Sequence, residues 1–186
     1  MKKWVWIVLI FLAANVAGFG VYRALNAPHA LPDVPLVDQN GKATKWSDYR
    51  GKTLVVFFGY TNCPDACPTA LTDLDKELRQ LGPEAAKIQG LFVSLDPARD
   101  TTARLKTYVP YFNPTFVGLR PAESDLAALV KQFGVIYQKA TPSADGNYLI
   151  DHSLRYYVIA PDGTLRTSFL LPAPPAELKQ ALGLTP

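Results

Sequence analysis

Thr53 to Gly59 reads TLVVFFG, an unbroken apolar run of strand length, and it opens almost directly onto the chain's two cysteines in TNCPDACP. A strand that is apolar on both faces has to be covered on both. The segment therefore belongs at the centre of a sheet, with Cys63 and Cys67 just past its carboxyl end. From Pro64 to Leu81, Ala70, Leu71, Leu74, Leu78 and Leu81 recur at helical spacing, and Gly82-Pro83 stops the pattern. Strand, cysteine loop, helix is the order on which the rest of the reading hangs.

On the amino-terminal side, Leu36 to Trp46 with Asn40-Gly41 at its middle reads as a β-hairpin. Ser47 is placed to cap a short helical turn. Downstream, Ile88 to Leu95 reads as a second buried strand, Asp96-Pro97 as a turn, and Thr101 as the cap of a helix reaching Val109. A strand over Thr115 to Leu119, a helix opened by Ser124 and ending at Phe133, and a short strand within Gly134 to Lys139 follow. Leu154 to Ala160 and Thr164 to Leu170 make a hairpin across Pro161-Asp162-Gly163, and Pro174-Pro175 begins a last helix that stops at Gly183. Strands alternating with helices and closing in an antiparallel hairpin describe an α/β, thioredoxin-like fold, a central mixed sheet flanked by helices. With 48% apolar and 19% charged residues the chain is too hydrophobic for disorder.

Trp4 to Tyr22 carries no formal charge and as a helix spans about 28 Å, one bilayer core. Lys2 and Lys3 outweigh Arg23 across it, which leaves the amino terminus in the cytoplasm and exports the rest. Residues 1–23 are therefore expected to anchor the chain as a single pass. Cleavage near Val16-Ala17-Gly18 is the alternative, and both export the domain. Residues 24–35 read as a Pro- and Ala-rich linker and 36–186 as the exported domain. With those three flanking bases set aside, the remaining acids and bases balance, so no basic patch for nucleic acid is present.

Cysteines four apart at a helix start bring two sulfurs to one face, where the helix dipole and free N–H groups favour thiolate. A purely structural disulfide here would close a five-residue loop and stabilise by only about 2 kcal/mol. A redox or metal-binding pair is the stronger reading. Three intervening residues depart from the Cys-x-x-Cys of thiol oxidoreductases, and no proline precedes the Leu154 strand, where such enzymes keep one facing the cysteines. Two thiolates with one further ligand suit copper(I) or zinc. The chain has two histidines; His29 lies in the linker, and His152 stands directly before the strand LRYYVIA, at a strand end where such sheets gather functional loops. Position alone leaves His152 open between ligand and ordinary polar residue.

GYTNCPDACP, SLDPARDT and DHSLRYYVIAPDG, in this order, resemble the Sco/SenC family of copper-binding cytochrome oxidase assembly proteins, over about residues 32–183. The resemblance implies a thioredoxin-like fold with a copper site made by Cys63, Cys67 and His152, holding copper(I) and copper(II). It also implies a periplasmic metallochaperone on the bacterial inner membrane. Its partners would be cytochrome c oxidase subunit II or a related copper protein, a periplasmic copper donor and a thioredoxin-like reductant. The alternative on the same residues is a thiol-disulfide oxidoreductase that keeps the client's cysteines reduced. A copper or redox sensor is a third.

Asp65 and Asp151, beside the ligands, could orient them, or serve as capping and solvated acids. Asp96, Arg99 and Asp100 match the family motif, and turn capping with a local ion pair accounts for them equally. Pro64 and Pro68 fix the loop geometry. Tyr60, Tyr156 and Tyr157 are expected in the core more than as a shield for the metal.

Overall fold

In the computed structural model, which describes residues 30–172 and 175–183, TLVVFFG is the middle of a seven-stranded mixed sheet. The strands are β1 (Leu36–Asp38), β2 (Ala43–Thr44), β3 (Thr53–Gly59), β4 (Ile88–Ser94), β5 (Val117–Pro121), β6 (Tyr137–Lys139), β7 (Ile150–His152), β8 (Arg155–Ile159) and β9 (Leu165–Leu170). The order across the sheet is β2-β1-β5-β4-β3-β8-β9, while β6 and β7 form a separate two-stranded ribbon. β3 pairs parallel with β4 and antiparallel with β8.

Because side chains alternate along a strand, β3 serves two cores. Val55 and Phe57 face α1 (Ala66–Gln80), α2 (Thr102–Phe112) and α4 (Pro175–Ala181). Leu54, Val56 and Phe58 face the other layer, filled by α3 (Glu123–Phe133) and Trp46. The central strand is buried along its whole length, as its composition requires. The cysteine loop and Cys67 belong to the first of these layers.

The expected elements are present, with shifts that have local causes. Asp38 Oδ1 accepts the Asn40 and Lys42 N–H groups at 2.8 and 2.9 Å around Gly41, whose φ of 83° makes the hairpin turn. The short helical turn spans Trp46–Tyr49 and is capped from Lys45, not Ser47, because Asp48 reaches back to the Lys45 N–H. Ser47 instead binds Asp33 through its N–H and hydroxyl.

The helix expected to end at Val109 continues through Pro110 to Phe112. So near the end of a helix, proline removes one bond, to Lys106, which is itself exposed. The strand expected over Thr115 to Leu119 runs Val117–Pro121, since Asn113 accepts from Thr115 in a local turn. α3 begins at Glu123, one residue before Ser124, with Ala122 at the cap; Glu123 and Asp125 supply the negative charge its first turn favours.

The stretch expected as linker to residue 35 already lies on the folded body from Ala30. Leu31 N–H donates to Gly163 O at 2.9 Å, and Val34 is buried. The anchor expected over 1–23, the signal-cleavage alternative, the first linker residues and His29 lie outside the described residues. Among the described residues no helix is long and apolar enough to cross a membrane.

Candidate metal centre

The loop Tyr60–Asp65 leaves β3 at the sheet's carboxyl edge and delivers Cys63, half-buried, just ahead of α1 and Cys67, buried, in its first turn. The helix begins at Ala66, not at Pro64, because Asp65 has non-helical backbone angles (φ −144°, ψ −64°). Pro68 then occupies a first-turn position whose N–H would have no intrahelical partner, so the ring costs nothing there. The Cys67 N–H donates to Cys63 Sγ at 3.3 Å, so one sulfur takes the place of a helix cap. Both thiols are free.

His152 ends β7 and returns across the top of the sheet to the same spot. Its Nε2 lies 3.5 Å from Cys67 Sγ, with 85 residues between them in the chain. The other ring nitrogen, Nδ1, is 3.2 Å from the Ser153 carbonyl, which can only accept. That contact places a proton on Nδ1 and turns Nε2 toward the sulfurs. Phe57 and Tyr60 hold the ring edge-on, at centroid distances of 5.9 and 6.2 Å.

The two thiols are electrostatically unlike. The Cys67 thiol donating to the Cys63 sulfur, helped by His152 and by the Cys67 and Asp65 backbone N–H groups, outweighs partial burial and brings Cys63 from 9.0 down to about 4. Cys67 moves far upward, because donating to Cys63 and burial both favour its neutral form. The two shifts run in opposite directions, so Cys63 is the more acidic thiol of the pair and Cys67 the one that keeps its proton longer.

The donor set fits a soft metal ion. With metal–sulfur and metal–nitrogen bonds of about 2.3 and 2.0 Å, two donors of a trigonal shell stand about 3.7 Å apart. The Cys67–His152 separation of 3.5 Å is close to that edge. Among the described residues no three His, Cys, Asp or Glu side chains stand in a geometry ready to hold a metal ion, so these donors must draw together to do so. The Cys63 sulfur accepts the Cys67 N–H and keeps further lone pairs with which to meet a metal ion.

Of the supporting residues, the acids beside the ligands do least. Asp65 accepts from Thr69 Oγ at 3.3 Å on the surface and reaches Cys63 only through its backbone N–H. Asp151 is exposed, opposite Gln138 on the ribbon. Tyr156 and Tyr157 are core residues, one donating to the Ala70 carbonyl and the other packed on Phe58 and Phe133. Tyr60 is buried and also touches the site, its hydroxyl accepting the Ile150 N–H at 3.1 Å.

The motif DPARDT does more than cap a turn. Asp96 and Asp100 are fully buried, and the Asp96–Arg99 ion pair is present. Asp100 accepts from the Thr61 N–H (3.2 Å), Thr61 Oγ (2.6 Å) and Ser94 Oγ (2.7 Å), fastening the cysteine loop to the end of β4. Sequence reasoning missed this link because 39 residues separate its ends. An uncommonly polar DxxxD segment directly after a buried strand was the available signal.

A family model described as SCO1/SenC matches residues 24–183. The chain is 34% identical over 151 residues to a SCO2-like protein of Rickettsia felis, covering 81% of this chain and 74% of that protein. It is 36% identical over 133 residues to the mitochondrial SCO2 homolog of Bos taurus, covering 70% of this chain and 50% of the relative, so it spans half the length of that protein. Among solved structures, Bradyrhizobium japonicum ScoI with copper bound superimposes with a TM-score of 0.74 at 37% identity, over 83% of this chain and 98% of that one.

Proposed function

The chain belongs to the SCO1/SenC family, and from that premise we propose that it is a copper metallochaperone whose cargo is held by Cys63, Cys67 and His152. The observation that carries the proposal is the meeting of two sulfurs and an imidazole nitrogen at the sheet's carboxyl edge. Two thiolates are soft donors that favour copper(I), and one imidazole lets copper(II) be held as well. Cys63, the more acidic of the two thiols, offers the first bond; binding the second sulfur releases the Cys67 proton. The helix amino terminus offsets part of the negative charge of a two-thiolate site.

By resemblance the client is subunit II of cytochrome c oxidase or a related copper protein, supplied by a periplasmic copper donor. Residues 1–23 would hold the domain, 36–186, on the outer face of the bacterial inner membrane, with 24–35 as spacer. Cargo would pass by exchange of one ligand at a time between two exposed soft sites.

The test is copper(I) uptake by the reduced full chain in competition with a chromogenic chelator, compared with His152→Ala and Cys63→Ser. One tightly held copper per chain, weakened in both folded variants, is the expected result. A His152→Ala variant that keeps wild-type affinity removes the imidazole from the site.

The unlike thiols favour a second reading, thiol-disulfide exchange. The Cys63 thiolate attacks a client disulfide and releases one client thiolate; Cys67 then displaces the second. The pair is oxidised to Cys63–Cys67 as the client gains two electrons, and a thioredoxin-like reductant restores the dithiol. Exchange needs no imidazole. Undiminished reduction of an oxidised client peptide by His152→Ala, together with unaltered copper(I) affinity, would favour this reading over the first.

A further inference from the structure

The ribbon that carries His152 is not laddered to the seven-stranded sheet. Its inward face is a line of alternating residues. Leu149 and Asp151 are exposed, while Tyr148, Ile150 and His152 turn toward the body. Each of the three inward positions has its own anchor. His152 meets Cys67, and the Ile150 N–H is taken by Tyr60 Oη. Tyr148 meets Arg99, and that contact is the most elaborate of the three.

The Arg99 guanidinium lies over the Tyr148 ring, with Cζ 3.5 Å from the centroid. Its Nη2 donates to the Tyr148 carbonyl at 2.9 Å, and its Nε donates to Asp96 Oδ2. The Tyr148 hydroxyl closes the ring of contacts by donating to Asp96 Oδ1 at 2.7 Å. Asp96 is fully buried after β4 and cannot follow a moving ribbon. Neutralising Asp96 would need only a positive charge. Stacking, a backbone hydrogen bond and an ion pair at once need the planar fork of arginine.

We propose that Arg99 is a positioning residue for His152: clamped between Asp96 and Tyr148, it pins the ribbon so that the imidazole stays over the cysteine pair. The inference rests on the reading of His152 as a copper ligand. Removing the pin leaves all three donors in place and lowers the fraction of time the third one is in reach. Partners that orient a ligand in this way typically contribute about 10- to 100-fold in metal affinity.

The test uses the reduced full chain and two variants that leave a positive charge beside Asp96, Arg99→Lys and Tyr148→Ala, each with and without His152→Ala. Copper(I) affinity is read by chelator competition, and amide hydrogen exchange over residues 148–152 is read without metal. With His152 present, each variant is expected to weaken copper(I) by about 10- to 100-fold. In the His152→Ala background the same changes should alter it by less than about twofold, since they act through the missing ring. Exchange at Ile150 and His152 should quicken in both variants. Equal losses in the two backgrounds, no loss with His152 present, or unchanged exchange would overturn the proposal. If His152→Ala alone leaves copper(I) affinity unchanged, the ligand assignment fails, and the positioning role fails with it even if exchange quickens.

Discussion

Gly59, the last residue of β3, sits where the sheet hands the chain to the cysteine loop, and its missing side chain is part of the site. A Cβ there would lie 2.9 Å from Cys67 Sγ, 2.9 Å from Phe92 Cε2 and 3.0 Å from Phe57 Cε1. Favourable contacts between such atoms begin near about 3.5 Å. None of the three has room to retreat, since all are fully buried. Gly59→Ala gains about 0.4–1 kcal/mol by restricting the unfolded chain. It loses about 1–3 kcal/mol by overpacking. With the middle of each range the expected net loss is about 1.3 kcal/mol, read by denaturant unfolding under reducing conditions, with a melting temperature lower by about 2–4 °C for each kcal/mol. Because one of the three clashing atoms is a sulfur of the proposed copper site, copper(I) affinity should fall with it. Cys67→Ala added to Gly59→Ala should recover part of the stability loss, a coupling expected only of residues in contact. A Gly59→Ala protein within about 0.5 kcal/mol of wild type would refute the argument that this space is reserved for the sulfur.

The lowered Cys63 fixes the sign of a pH effect. Its thiolate should persist as pH falls from 9.0 until about 4, so alkylation at Cys63, located by mass spectrometry, should stay fast at pH 6; a rate falling tenfold per unit below pH 8 would contradict it. Asp100→Ala strips the acceptor from two Thr61 donors and from Ser94, at about 1–3 kcal/mol for each buried group left unpaired; denaturant unfolding should show at least about 3 kcal/mol lost. Burial raises the Asp100 carboxyl above 3.8, so its protonated form favours folding at low pH and that contribution disappears as pH rises through the raised value. Asp100→Asn should flatten this part of the stability curve. Thr101→Ala removes the hydroxyl that accepts the Arg104 N–H at 3.2 Å, and a loss of about 1 kcal/mol is expected by thermal unfolding.

What the sequence made legible follows from what local patterns encode. TLVVFFG could only be a central strand, and the apolar spacing of Ala70, Leu71, Leu74 and Leu78 could only be one face of a helix. Thr101 caps α2 as expected. Boundaries moved where a neighbour in space took over a role, as Asp33 did in occupying Ser47. Gly134 to Lys139 does contain a strand, but its partner is β7 and not the main sheet, which no periodicity of three residues could reveal. Cys63 and Cys67 announced themselves by spacing. His152 needed the resemblance, since only the path of the ribbon brings it to within 3.5 Å of Cys67. Tyr148 was silent altogether: its significance lies in Arg99 and Asp96, 49 and 52 residues away.

The two-sided burial of β3 sorts inherited or engineered changes by parity. Positions 55 and 57 share a layer with Cys67, whereas 54, 56 and 58 share one with Trp46, Leu129 and Phe133. Neighbouring residues of one strand thus pack in different layers. Damage at either parity should lower stability, since all five side chains are buried; at an odd position it also reaches the cysteine layer and, on the proposed function, should weaken copper binding. Damage at an even position falls on the far layer and should leave the copper affinity of the molecules that fold close to wild type. A survey of variants along these few residues would alternate between the two outcomes, one step at a time.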